Sequence, residues 1–292
     1  MNRLLLVTNA SAGTADEESI EAAVAVLRGG ADVRVEQCAR PEELAALLDD
    51  RDGRRVVLAG GDGSVHLLAA TLHGRGALSA DDPVGLLPLG TGNDLARALG
   101  IPLDASTAAS TLLTGRPRPL DLLVDDAGGV VVNVVHLGIG AEAAAQASGL
   151  KDKIGKAAYA VGSAVAGVRE QGWTVRVEVD GEVVHDGEPV LMVGVCNGRT
   201  IGGGAEIAPG AVLDDGLLDV VVATSTGPLA RLGFGVAMRG GEHVDRDDVL
   251  SVQGHTVTVS GEPFPANADG ELHDPVERRS WTVHPRAWSI VH

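Results

Sequence analysis

Asp62 stands among Gly60, Gly61 and Gly63 at the end of an apolar run, in the stretch RRVVLAGGDGS at residues 54–64. A strand that ends this way and leads into a helix gathers several backbone N–H groups and a helix N-terminus around one point, which suits an anion such as phosphate. A helix end contributes only about 0.3–1 kcal/mol at an exposed site, so several donors must act together. Glycine lets a nucleotide approach the main chain, and Asp62 can then hold a magnesium ion or orient a phosphate donor. The competing reading is a glycine-rich turn in which Asp62 caps its own helix. The stretch PVGLLPLGTGNDLARALGIP, residues 83–102, repeats the arrangement as strand, Gly90-Thr91-Gly92-Asn93-Asp94 and helix. Two polar, glycine-lined turns then fall at one edge of a parallel sheet, where ligands bind in open α/β folds.

The elements that must position these turns alternate. Leu4 to Val7 read as a strand, and Thr14 with Glu17 signals a helix start whose Ile20, Ala23, Val24 and Leu27 share a face. Asp32 to Glu36 and Pro41 to Leu48 form the next strand and helix, followed by a strand at 55–59, a helix from Val65 to about Leu78, a strand at 84–89 and a helix at 94–99. Continuous apolar strands alternating with helices predict a parallel sheet covered on both faces. Past Asp121 the period becomes mostly two: Trp173, Val175, Val177 and Val179 alternate with polar residues, Asp180-Gly181 supplies a hairpin turn, and strands follow at 190–195, 217–223 and 249–259. This half reads as a β-sandwich interrupted by helices at 156–169 and 228–238. The expected organisation is an α/β nucleotide-binding domain at 1–121 and a β-sandwich substrate domain at 122–292.

The 292 residues and 45% hydrophobic content suffice for two cores, and forty glycines against six aromatic residues imply cores of Val, Leu and Ala. A formal net charge of −17 repels nucleic acid and anionic membranes over the molecule as a whole. Cys38 and Cys196 are too few for a disulfide framework or a four-ligand zinc site, which favours a reduced, cytoplasmic setting. No signal-peptide core or transmembrane run is legible, so contact with lipid is expected to be peripheral and transient, at the inner membrane face.

With these motifs in place, the chain resembles the diacylglycerol-kinase catalytic family, the soluble bacterial lipid kinases and their sphingosine-kinase relatives. The residues carrying the resemblance are NASAG at 9–13, GGDGS at 60–64, PLGTGNDLARALGIP at 88–102, Asp121 after a proline, GGGAEIAPGAVLDDGLLDVVV at 202–222 and ADGE at 268–271. PLGTGNDLAR discriminates best, because NAD kinases and phosphofructokinases share the Gly-Gly-Asp-Gly turn without that continuation. The resemblance implies ATP bound in a cleft between an N-terminal α/β domain and a C-terminal β-sandwich, with the γ-phosphoryl group passing to a lipid hydroxyl. It assigns Asn9, Gly13, Gly60, Gly61, Asp62, Gly63, Ser64, Thr91 and Gly92 to the nucleotide, and Asn93 and Asp94 to the acceptor side. It assigns Asp121 to a carboxylate, water and Mg2+ network, and Asp215 with main-chain oxygens near Val212 and Leu217 to a structural Mg2+ site. Asp269 or Glu271 would accept the hydroxyl proton, with Asp269 favoured. A homodimer is one assembly open to it.

The chain departs from the family pattern where Ala10 follows Asn9, where acidic Asp16 to Glu18 follow the first turn, where His66 and Leu67 replace Asn-Glu, and at Cys38. His66 reads as a partly exposed helix residue. Two other motifs fail: residues 149–157 separate their glycines by five residues and end in Ala157, so they form no P-loop, and GIGAEA at 138–143 lacks the acidic strand end of a dinucleotide site. A kinase for a soluble nucleotide or sugar, and a non-catalytic lipid- or nucleotide-binding relative, are the alternatives.

Overall fold

The computed structural model describes residues 2–9, 14–38, 40–138, 172–224, 227, 233–234 and 236–292. The chain divides into two compact units, Met1–Leu122 with Pro285–His292, and Leu123–His284.

The first unit contains β1 (Asn2–Asn9), α1 (Thr14–Arg28), β2 (Ala31–Cys38), α2 (Pro41–Asp49), β3 (Arg55–Gly60), α3 (Asp62–Gly74), β4 (Val84–Pro88), α4 (Asp94–Ala98), α5 (Ala105–Thr114) and most of β5 (Pro117–Asp125). Its strands run parallel in the order β4-β3-β1-β2. β3 and β4 are buried almost end to end, whereas β2, at the edge, is buried only at its two ends and exposes Asp32, Val35 and Gln37, as position in a helix-covered parallel sheet dictates. Two differences from the sequence reading bear on the site. α3 starts at Asp62 rather than Val65, because extended Gly61 (φ −99°, ψ −167°) is its N-cap and the Ser64 and Val65 amides close on the Gly61 carbonyl. His66 is buried, at 7% exposure, rather than partly exposed. Helix α5 is an addition; its small, mixed residues ASTAASTLLT lack a charged face, and its start is fixed by Asp104, whose carboxylate accepts from the Thr107 amide at 2.8 Å.

In the second unit, β6 (Val130–Val131) pairs with β5, and β7 (Val134–Gly138) begins the main sheet. β8 (Trp173–Val179), β9 (Glu182–His185), β10 (Pro189–Val190), β11 (Met192–Cys196), β12 (Thr200–Ile201), β13 (Ala205–Glu206), β14 (Leu218–Ala223), β15 (Val249–Gly254), β16 (Thr256–Ala268) and β17 (Glu271–Val291) follow. β15, β14, β11, β7 and the end of β16 are antiparallel neighbours in that order. The first half of β16 instead pairs with β8. The strand changes partners beside Gly261 (φ +146°), where a Cβ would lie 2.4 Å from the Thr174 carbonyl oxygen, so only glycine fits. The buried cluster of this unit is mainly valine, with Trp173, Phe264 and Trp281.

β17 forms a hairpin with β16 up to Thr282, and its last residues pair in the first unit with β4, Ile290 opposite Val84. The 122–292 division therefore needs correcting at its end, since Pro285–His292 belong to the first unit. Pro275 and Pro285 read as strand breaks in sequence; Pro275 falls at the irregular register between His273 and Val276. The helix expected at 156–169, and Lys151, Lys153 and Lys156, a sequence candidate for a local basic face toward lipid, lie outside the described residues. Of the helix expected at 228–238 only part is described, followed by short 3-10 turns at Met238–Gly240 and Glu242–Asp245.

His136, in the middle of β7, gives the second unit an acid-sensitive core. Burial drives its pKa from 6.5 down to about 4, so the folded chain keeps it neutral while the unfolded chain protonates near 6.5. Because the unfolded state binds the extra proton, stability is full above about pH 6.5 and falls as the pH drops towards 4. The loss at the acid end is about 3 kcal/mol. Urea unfolding at pH 7 and pH 4.5 is expected to show it, and His136→Leu should flatten the dependence; an equal slope in both proteins would refute the assignment.

Candidate functional site

The two glycine-lined turns of the first unit meet. The Leu89 amide donates to the Gly60 carbonyl at 3.1 Å. A Cβ on Gly61 would come within 2.8 Å of Gly90 Cα, and one on Gly90 within 2.5 Å of Gly61 Cα and 2.8 Å of Asn93 Oδ1. Neither position admits a side chain. Asn93, left-handed at φ 51°, locks the second turn upon itself: its Oδ1 accepts from the Gly90 amide at 3.0 Å and its Nδ2 donates to the Gly90 carbonyl at 2.7 Å. Asp62 connects the turns, because its Oδ1 accepts from the Leu95 amide at 3.2 Å in the first turn of α4. The carboxylate thus reaches the neighbouring helix, an arrangement that the sequence readings of Asp62 did not include.

Gly60 is buried, Gly61, Asp62 and Ser64 are half-buried, and Gly63 and Thr91 are exposed. Asn93 and Asp94 are buried at 6% and 4% exposure. Beside the second turn an open groove of about 320 Å³ is lined by Ser19, Gly90, Thr91, Asn93, Arg97 and Asp104. Arg97 Nε donates to the Gly92 carbonyl at 3.0 Å, which holds its guanidinium at that rim. Gly90 and Arg97 were not among the expected site residues, although both lie in the PLGTGNDLAR motif. Asn9 is exposed at the end of β1, and Gly13 lies outside the described residues.

Asp121 is fully buried in the first unit. Its Oδ1 accepts from the Arg286 amide at 2.7 Å and its carbonyl from Trp288 Nε1 at 3.3 Å, so it anchors the returning end of β17. In the second unit, Asp215 Oδ1 accepts from the Leu217 amide at 3.0 Å, closing the turn between Val212 and Leu217. Burial, together with the negative charge of Asp215, raises the pKa of nearby Asp219, against a hydrogen bond from Gln253 that lowers it. Among the described residues no three His, Cys, Asp or Glu side chains cluster as a metal site.

Asp269 turns the hairpin between β16 and β17 at φ 49°. Its carboxylate accepts from three successive amides, Val132 at 2.6 Å, Asn133 at 2.8 Å and Val134 at 3.1 Å, and its own amide donates to the Val134 carbonyl at 3.0 Å. Three acceptor positions of the two oxygens are therefore committed to the main chain. Glu271 begins β17 and is exposed.

A parallel α/β unit with paired Gly-rich turns is thus continued in the chain by an antiparallel β unit. Residues 3–124 match the diacylglycerol kinase catalytic domain, and residues 133–292 match the YegS C-terminal NAD kinase beta sandwich-like domain. The chain belongs to the YegS-type diacylglycerol kinase family. A Pseudomonas aeruginosa (strain UCBPP-PA14) protein named probable lipid kinase YegS-like is 32% identical, covering 99% of this chain and 94% of its own. A protein of that name from Stenotrophomonas maltophilia is 31% identical over 78% of this chain and 74% of its own. A solved structure of a diacylglycerol kinase from Bacillus anthracis has a TM-score of 0.77 at 21% identity, covering 100% of this chain and 97% of that one, a likeness of fold.

Proposed function

We propose that the protein is an ATP-dependent lipid kinase that transfers the γ-phosphoryl group to the hydroxyl of diacylglycerol or a related lipid. The observation that carries this reading is the junction of the turns at 60–64 and 90–94, glycine against glycine and tied by Asp62 to Leu95. It supplies bare main chain and a positioned carboxylate at one place, which phosphoryl transfer requires more than covalent chemistry. Gly60, Gly61, Gly63, Ser64, Thr91 and Gly92 serve the phosphates in this reading, Asn93 fixes the shape of the second turn through its clasp on Gly90, and buried Asp94 stays on the acceptor side. Mg2+ bound with ATP supplies charge neutralisation. Asp215 with the main-chain carbonyls of its turn is a hard-oxygen donor set of the type Mg2+ accepts, though it offers one carboxylate and needs water to complete it.

The commitment of Asp269 to three amides moves the proton-accepting role to Glu271, the other carboxylate of the turn. Among the described residues no helix is long and apolar enough to cross a membrane; in this reading lipid is met by peripheral contact. The test is mass spectrometry of the products formed from Mg-ATP and a total lipid extract, with hydrophilic acceptors in parallel. A phosphorylated lipid is expected, and Asp62→Ala and Glu271→Gln should each lower its formation about 10²–10⁴-fold. Phosphorylation of a sugar or nucleotide alone would overturn the lipid assignment, and tight Mg-ATP binding without turnover would make the chain a non-catalytic relative.

A further inference from the structure

Two opposite charges line the groove beside the second turn without meeting. Arg97 is tethered through Nε to the Gly92 carbonyl at 3.0 Å, and among the described residues its terminal nitrogens have no protein acceptor. Asp104 is held in the same way by its own segment: its Oδ1 accepts from the Thr107 amide at 2.8 Å and from the Thr107 hydroxyl at 2.6 Å, while among the described residues its Oδ2 accepts from no protein group. The Thr107 hydroxyl and amide keep the Asp104 carboxyl below the usual carboxylate range, so it is ionised at neutral pH. One groove therefore presents a guanidinium fork and a carboxylate oxygen that the fold leaves uncommitted.

Size and charge restrict what fits. A volume of about 320 Å³ lies at the small end of ligand sites and suits a head group rather than a pair of acyl chains. The guanidinium fork matches the oxygens of a phosphate. An ionised carboxylate oxygen only accepts, so it takes hydroxyl protons, as an acidic side chain does from a ribose. The Ser19 hydroxyl and the half-exposed Leu103 complete the lining, a polar and an apolar surface for the two sides of a short polyol. A bare phosphate would leave Asp104 facing an anion, and a bare polyol would leave Arg97 unused. A single molecule carrying both groups satisfies both charges.

We propose that Arg97 and Asp104 form a subsite for a polyol phosphate, the guanidinium on the phosphate and the carboxylate on a nearby hydroxyl. Two sources carry that chemistry, the ribose phosphate of the nucleotide and a glycerol phosphate head on a lipid acceptor. The choice between them rests on the kinase reading, whereas the subsite does not. The probe is glycerol phosphate, with ethyl phosphate as an anion that lacks hydroxyls, each titrated into the full 15N-labelled chain without ATP. Glycerol phosphate is expected to bind about tenfold more tightly, the scale of one hydrogen bond to a charged group. Asp104→Ser keeps an oxygen for the Thr107 amide, and serine caps a helix as well as aspartate does, so the fold should hold. It should erase the preference by weakening glycerol phosphate alone, while Arg97→Gln should weaken both phosphates. Titration in saturating Mg-ATP then separates the sources. Loss of glycerol phosphate binding assigns the groove to the ribose phosphate, and ATP should bind about tenfold more tightly than dideoxy-ATP. Retained binding assigns it to the lipid head, and a lipid with a glycerol phosphate head should be phosphorylated in preference to diacylglycerol in mixed micelles. Equal binding of the two phosphates, a preference that survives Asp104→Ser, or binding untouched by Arg97→Gln would overturn the proposal. Selective glycerol phosphate binding by a chain that phosphorylates no acceptor would instead refute the kinase reading and leave the subsite standing.

Discussion

Gly90→Ala is expected to abolish Mg-ATP binding, with a loss of at least about 100-fold in affinity, and to destabilise the first unit by about 3 kcal/mol. The added Cβ would stand 2.5 Å from Gly61 Cα and 2.8 Å from Asn93 Oδ1, and the first of these is backbone that no rotamer change can move aside. Relief requires the two turns to separate. Separation breaks the Asn93 clasp on Gly90 and stretches the bonds from Leu89 to Gly60 and from Leu95 to Asp62. Amides that must converge on one polyphosphate would then no longer share an origin, and the cooperative part of their affinity goes with it. Gly63→Ala is the control for stability alone, since Gly63 itself is assigned to the phosphates. Nothing lies within 4 Å of its added Cβ, and alanine in the first turn of α3 favours the helix, so stability should hold or rise slightly. Isothermal calorimetry with Mg-ATP and thermal unfolding of both variants check the pair. Native-like ATP binding by Gly90→Ala would show that the junction is not the nucleotide site.

The juxtaposition of these turns was legible because the same unit, strand, glycine turn and helix, occurs twice in neighbouring parallel strands, and parallel geometry sends both turns to one edge. What the sequence did not disclose is where Asp62 points. An aspartate at the start of a helix has local amides within reach, and nothing in a linear reading favours the Leu95 amide 33 residues away. The same limit hid the role of Asp121, whose partners Arg286 and Trp288 come from the far end of the chain. Helix α5 escaped because its buried stripe, Ala105, Ala108, Ala109 and Leu112, is mostly alanine set among serine and threonine and so carries little hydrophobic contrast, and β17 because two prolines punctuate a strand that changes partners along its length. The valine alternation of β8 and its Asp-Gly turn were legible, since a half-buried strand must alternate and a tight hairpin must admit positive φ, here +50° at Asp180 and +85° at Gly181.

Asp269 is where motif and geometry part, and the disagreement yields the second large effect. Asp269→Ala, at the residue that the family resemblance favours as proton acceptor, should destabilise the second unit by about 4 kcal/mol. Val132, Asn133 and Val134 are buried at 1%, 6% and 0% exposure, so their amides lose their acceptor with little water to replace it, at about 1–3 kcal/mol each. Alanine also tolerates φ +49° less well than aspartate. Asp269→Asn should fall between alanine and the native residue: its carbonyl oxygen can still accept from Asn133 and Val134, but its NH2 would face the Val132 amide, donor against donor. Glu271→Gln should leave stability unchanged and suppress transfer alone. Urea unfolding beside the phosphorylation assay separates the two carboxylates. If Asp269→Ala unfolds like the native protein while losing all activity, the proton acceptor is Asp269 and its amide contacts are incidental; if it loses stability first and Glu271→Gln loses only turnover, the turn is built by one carboxylate for the other to use.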